Sequence, residues 1–195
     1  MRLLTARRRA VRAGVFTAVP LAQAYRLFGA NPLVMVTSVD RNGRVNVMTC
    51  AWCTPYDFAP PQLLLVIDSG SLTFANIRAT GRFTVSIVPE KLAPLAVRCG
   101  GVSGRETDKL QQFAVALAPA KKNGVPALAG ATAYLECELA DRALLRKGLV
   151  CGRGRYAAAR PAAFRAGAWR TAAGALLHHL GGAEFLAGGR RRRVR

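Results

Sequence analysis

The residues best placed to do chemistry fall in one short stretch, Asn46-Val47-Met48-Thr49-Cys50-Ala51-Trp52-Cys53-Thr54-Pro55, where a strand pattern gives way to an irregular loop. Where a strand edge breaks up, its N–H groups lose their ladder partners and can donate to a ligand, while Trp52 offers a flat apolar wall. A planar heteroaromatic with carbonyl and ring-nitrogen acceptors suits such a site. The same residues would also make a core tryptophan beside an edge bulge. A second cluster runs from Ser69 to Arg78. A helix start there exposes N–H donors and the positive end of the helix dipole, and the hydroxyls of Ser69, Ser71 and Thr73 with Arg78 nearby make a phosphate cradle. An ordinary surface cap has the same pattern.

Other reactive types are less well placed. Cys50 and Cys53 have the spacing of a dithiol redox pair, but the helix N-terminus that lowers a thiol pKa in such pairs is missing, and no second pair completes a zinc set. They read as small packed side chains. His178 and His179 are the two histidines of the chain. No Ser/His/Asp or metal-binding pattern accompanies them, so they read as core or surface residues and the catalytic residues stay unknown. Five cysteines without paired spacing suit a reducing cytosol better than a disulfide framework.

The elements that position these residues follow from periodicity and punctuation. Leu33–Val39 is a β-branched apolar run, Asp40-Arg41-Asn42-Gly43 is turn chemistry, and Arg44–Thr49 alternates, which predicts a hairpin. Val45, Val47 and Thr49 share one face; Asn46 and Met48 share the other. Thr54–Pro61 reads as a proline-bearing loop before a buried strand at Gln62–Ile67. Asp68-Ser69-Gly70-Ser71 caps a helix over 72–80, and Gly81 stands at its C-cap position. Strands follow at 82–88, 131–139 and 148–158, with helix and loop from Pro89 to about Phe113. In the second of these strands Ala133, Leu135, Cys137 and Leu139 face one way, and Tyr134, Glu136 and Glu138 the other. The fold class is mainly β with peripheral helices, a small antiparallel barrel rather than a βαβ sheet.

Composition agrees. With 195 residues, 51% of them apolar, the chain can bury a one-domain core, and wholesale disorder is excluded. No fixed repeat occurs, and no uncharged apolar stretch is long enough for a spanning helix. The formal net charge is +19. Ten arginines lie in two tails, at 2–12 and 190–195, which divides the chain into a basic tail at 1–17, a domain at 18–189 and a second tail at 190–195. The basic body should still attract anionic ligands. The tails lack interleaved aromatics and read as solvated, without a specific nucleic-acid partner. Residues 13–24 mimic the apolar part of a signal peptide, but Pro20 reads better as the first turn of a helix that ends before Gly29.

Taken in order, these segments resemble the flavin-reductase-like family with the FMN-binding split barrel, which includes the flavoredoxins. The resemblance rests on Asn31–Asp40, Asn42-Gly43, Asn46–Trp52, Pro60-Pro61, Thr73–Arg78, Thr80–Phe83, Gly104–Lys109, the strand into Gly152-Arg153 and Leu177–Gly182, most of the chain. It implies an FMN-binding split β-barrel with FMN held noncovalently near a homodimer interface. Asn46, Thr49, Ala51 and Trp52 would line the isoalloxazine or ribityl chain. Thr73, Asn76 and Lys109 would lie near the phosphate, beside the Ser71 of the cradle already read from the helix start, and Phe185 would be a late ring contact. The implied activity is a cytoplasmic NAD(P)H-dependent oxidoreductase that passes electrons through FMN to a flavin, a metal complex or a protein. One departure stands out: Lys147 occupies the place of a histidine common in relatives. That favours the alternative of a flavoredoxin-like carrier with tightly bound FMN and no NAD(P)H site.

Overall fold

The computed structural model describes residues 32–165, 168–169, 176–181 and 184–187. The helix expected at 20–28 and both arginine tails lie outside them. The β1 (Val34–Val39) and β2 (Val45–Cys50) hairpin forms as the turn chemistry predicts. The Asp40 carboxylate accepts from the N–H groups of Asn42 and Arg44 at 2.8 and 2.9 Å, and Gly43 takes the left-handed conformation, φ 82°, that the turn requires.

The strands β3 (Cys53–Phe58), β4 (Pro61–Val66), β5 (Arg82–Ile87), β8 (Ala133–Asp141) and β9 (Leu149–Ala159) complete a seven-stranded antiparallel sheet in the order β2-β1-β5-β8-β9-β4-β3. The edge strands β2 and β3 are consecutive in the chain, joined only by Ala51 and Trp52, so the sheet curls back on itself. The Val66 amide donates to the Trp52 carbonyl at 3.0 Å and pins this join to β4. Apolar side chains from β1, β2, β4, β5, β8 and β9 meet in one interior, among them Val34, Val36, Leu65, Phe83, Cys137 and Val150. This is a mainly β barrel left open between β2 and β3.

The stretch 54–61 is a correction to the sequence reading. Cys53–Phe58 is a strand paired with β4, not a loop. Pro55 is tolerated because β3 is an edge with no further neighbour, and the register shifts between Pro55 and Asp57. Apart from Cys53, which is partly covered, its residues face solvent, so no buried alternation announced it.

Helix α1 (Leu72–Thr80) begins at Ser71, whose hydroxyl accepts from the Phe74 amide at 3.1 Å, and ends at Gly81 in the left-handed region. It plugs one end of the barrel with Phe74 and Ile77. Helices α2 (Ala93–Gly100) and α3 (Lys109–Gln112) cover the other face of β2, where Ala96 and Cys99 pack with Leu33, Met35, Val47 and Val88. Strands β6 (Leu117–Ala118) and β7 (Ala127–Leu128) form a small hairpin. A two-strand piece, β10 (Phe164–Arg165) with β11 (Ala168–Trp169), follows the barrel. The last hairpin, β12 (Leu177–Gly181) with β13 (Glu184–Ala187), docks on this second core through Leu177, whose carbonyl accepts from the Leu33 amide at 2.6 Å.

Glu136 keeps to its side of β8, yet it is fully buried. Its carboxylate accepts from the backbone N–H groups of Lys121, Lys122 and Asn123 at 2.6, 2.8 and 2.8 Å. Asn123 in turn donates to the carbonyls of Phe83 and Cys137. Segment 121–125 is thus sewn onto the barrel wall, and each buried polar atom involved has a partner.

Candidate functional site

Strand β2 carries the site because it is a sheet edge. The Asp40 amide bonds to the Arg44 carbonyl, so in the antiparallel alternation the next bonded pairs are Ser38–Asn46, Val36–Met48 and Val34–Cys50. The N–H and C=O groups of Val45, Val47 and Thr49 therefore point away from β1, toward the open side of the barrel. Two clefts lie along this strand.

The first is small and polar, about 70 Å³, where the starts of β2, α1 and α3 meet. Asn46, Asn76 and Lys109 line it, together with Asp40, Arg44, Thr107 and Asp108. Asn46 is fixed by a 2.8 Å bond from its Nδ2 to the Thr73 hydroxyl, and Asn76 by a 3.2 Å bond to the Ser38 hydroxyl. Gly104, between α2 and α3, closes over Asn46 so tightly that a Cβ there would sit 2.1 Å from Asn46 Oδ1. Lys109 is only 5% exposed. Its Nζ donates to the Cys99 carbonyl in the last turn of α2 at 2.7 Å, and none of the ion pairs among the described residues includes it. Burial pushes its pKa down, an effect that the neighbouring Cys99 partly opposes. A buried ammonium in no ion pair among the described residues, facing a polar cleft that Asp40 and Asp108 also line, can meet an anion.

The second cleft is larger and mostly apolar, about 370 Å³, between the end of β2, helix α2 and the last hairpin. Leu33, Ala51, Ala96, Val97, His179 and Phe185 line it with Thr49, Gly100 and Gly101. The Thr49 hydroxyl donates to the Ala96 carbonyl at 2.6 Å and ties α2 to the strand. His179 and Phe185 face each other across the last hairpin, ring centres 5.4 Å apart. Trp52, beside Ala51, is 49% exposed, so it is not a core tryptophan.

Of the residues singled out from sequence, Asn46, Asn76 and Lys109 come together in the polar cleft, and Thr49, Ala51 and Phe185 in the apolar one. Three lie outside both linings. Thr73 stands behind Asn46, Ser71 serves as the α1 cap, and Trp52 flanks the apolar end. His179 reaches the apolar cleft although sequence reasoning assigned it to core or surface. Its approach depends on a hairpin more than seventy-five residues from α2, and only the aromatic spacing within Leu177–Phe185 hinted at it. Lys147, in the turn before β9, is exposed and lines neither cleft.

The thiols are not poised for redox exchange. All five cysteines are free, and burial raises Cys50 to about 11 and Cys53 to about 12. Among the described residues no cluster of three His, Cys, Asp or Glu side chains could hold a metal, and no helix is long and apolar enough to cross a membrane.

Comparison with known proteins agrees with this architecture. The chain is 31% identical over 182 residues to the uncharacterized protein YddH of Escherichia coli K12, covering 90% of this chain and 96% of that one. An FMN-binding domain of a flavin reductases-like enzyme from Shewanella baltica superposes with a TM-score of 0.79 at 32% identity, covering 92% and 97% of the two chains. The flavoredoxin of Desulfovibrio vulgaris has the same fold, with a TM-score of 0.75 at 21% identity over 84% of this chain and 90% of its own. The sequence profile of the flavin reductase like domain matches residues 27–180. The protein therefore belongs to the flavin reductase-like family of FMN-binding split barrels.

Proposed function

We propose that the chain binds FMN across the two clefts and works as an oxidoreductase that takes electrons from NAD(P)H and passes them to a flavin, a metal complex or a protein. The observation that carries this reading is the buried Lys109, a cation in no ion pair among the described residues, in a polar cleft that shares strand β2 with a ring-sized apolar one. The span from Asn46 to Thr49 along the strand is about 10 Å, the reach of a polyol phosphate arm.

The residues fit the cofactor by type. Asn46, Asn76 and the Lys109 ammonium would hold the phosphate, with Thr73 keeping Asn46 in place and Ser71 presenting the start of α1. The Thr49 backbone groups would meet the polyol or the polar edge of the ring, while Ala51, Phe185 and Trp52 would wall its faces. When bound, FMN supplies the redox chemistry itself. The chain's part is to orient the ring, keep bulk water off the apolar side and offset the phosphate charge. The five unpaired thiols suit a reducing cytoplasmic setting. A homodimer could cover exposed apolar residues on and beside the open edge strand β3, Trp52, Tyr56, Phe58 and Val66, of which Phe58 is 91% exposed.

One point favours the carrier reading, that of a flavoredoxin-like protein without its own nicotinamide site: Lys147, which the family resemblance sets at the place of a histidine common in relatives, is exposed and lines neither cleft. Anaerobic rapid mixing of the FMN-loaded protein with NADH or NADPH separates the two. Fast bleaching of the flavin supports the reductase. Retained FMN that does not bleach points to the carrier, and protein that keeps no FMN refutes both.

A further inference from the structure

Lys109 lines one cleft and is bonded to the helix that walls the other. Its side chain lines the polar cleft, and its ammonium donates to the Cys99 carbonyl, which belongs to the last turn of α2. That turn is the wall of the apolar cleft, through Ala96, Val97, Gly100 and Gly101. The residue just before that turn is tied to β2 by the bond from the Thr49 hydroxyl to the Ala96 carbonyl. There is little slack, since a Cβ on Gly100 would already touch Thr49 at 3.4 Å.

We infer that Lys109 couples the two clefts: an anion in the polar cleft, acting through this side chain, fixes the last turn of α2 and so tightens the apolar cleft for a flat ring. An ammonium has three N–H donors, and the Cys99 carbonyl takes one. An anion can take the others without competing, and its charge offsets the penalty of holding the ammonium away from water. The ammonium then stays seated on the negative end of α2. The coupling is positive and reciprocal, because whatever an anion does for the ring, the ring does for the anion. The inference rests on the reading of the polar cleft as the phosphate end, but it fails separately. Two independent pockets could each bind their part of FMN with no communication through α2.

Riboflavin, which has the ring and polyol but no phosphate, serves as the ring probe, and inorganic phosphate as the anion. Riboflavin is titrated into the full-length protein by fluorescence quenching, in phosphate and in chloride at equal ionic strength. The wild-type protein should bind riboflavin at least about fivefold more tightly in phosphate. Lys109→Met should bind it equally in both, and Lys109→Arg should recover part of the difference. Amide exchange over Val97–Gly101 should slow on adding phosphate to the wild type and not to Lys109→Met. Equal riboflavin affinity in the two salts, alongside tight FMN binding, overturns the coupling and leaves the cofactor reading standing. A phosphate effect that survives in Lys109→Met also overturns it. If neither flavin binds, both proposals fall. Should the methionine variant not fold, the pair of wild-type titrations and the wild-type exchange data decide the matter.

Discussion

Gly104→Ala tests how closely the segment between α2 and α3 lies on the polar cleft. An added Cβ would stand 2.1 Å from Asn46 Oδ1, 2.9 Å from its Cγ and 3.1 Å from a Leu72 methyl. Asn46 has nowhere to retreat, because it is buried and its Nδ2 is held by Thr73 at 2.8 Å. Either the amide turns and gives up that bond, at about 0.5–1.5 kcal/mol, or the segment lifts, at the roughly 1–3 kcal/mol typical of overpacking. Gly104 does not occupy the left-handed region, so the usual Gly→Ala gain from a stiffer unfolded chain, about 0.4–1 kcal/mol, acts in the opposite direction. The clash is the larger effect, leaving a net loss of about 1–2 kcal/mol and a melting temperature several degrees lower. FMN affinity should fall by about tenfold or more, since Asn46 and the cleft roof move together. Gly70→Ala is the control: its Cβ would meet only the Asp68 carboxyl group, no nearer than an ordinary 3.5 Å. Thermal melts and FMN titrations of both variants check the argument. A Gly104→Ala protein that melts at or above the wild type and binds FMN equally well would refute it.

Lys109 makes a pH prediction with two opposite signs. Its pKa in the folded chain lies below the ordinary 10.5, chiefly through burial. Between that lowered value and 10.5 the unfolded chain holds the extra proton, so the stability of the FMN-free protein should rise with pH across the window. FMN affinity should fall across the same window as the ammonium is lost. Melts and titrations against pH check both, and Lys109→Met should flatten both. Cys50 and Cys53, raised from 9.0 to about 11 and about 12, should carry about a hundredfold and about a thousandfold less thiolate at pH 8 than an ordinary thiol and alkylate correspondingly slowly until the protein is denatured. Comparable rates in native and denatured protein would contradict this. Glu136→Gln turns an amide NH2 toward backbone donors and should destabilise by on the order of 2–4 kcal/mol, read in denaturant melts. FMN affinity of the folded fraction should stay within about twofold, because segment 121–125 lines neither cleft.

What could be read from the sequence was whatever local chemistry enforces. The β1–β2 hairpin was legible because Asp40 and Gly43 close the turn by themselves, and α1 because Ser71 and Gly81 cap it. Strand β3 was not, since its pattern is that of an exposed edge with a proline. The role of Glu136 was hidden for a different reason. Alternation placed it on the polar side of β8, but its burial depends on the distant 121–123 backbone folding over it. At the site, Asn46 and Thr49 could be found because one strand carries both. His179 could not, because only the docking of the last hairpin on Leu33 brings it to α2.

The most direct test is the visible spectrum of the wild-type protein after incubation with FMN and desalting. A yellow protein carrying about one flavin per chain, with Lys109→Met losing most of that colour under the same treatment, is the outcome expected from a buried cation awaiting a phosphate. A colourless wild-type protein would contradict the account.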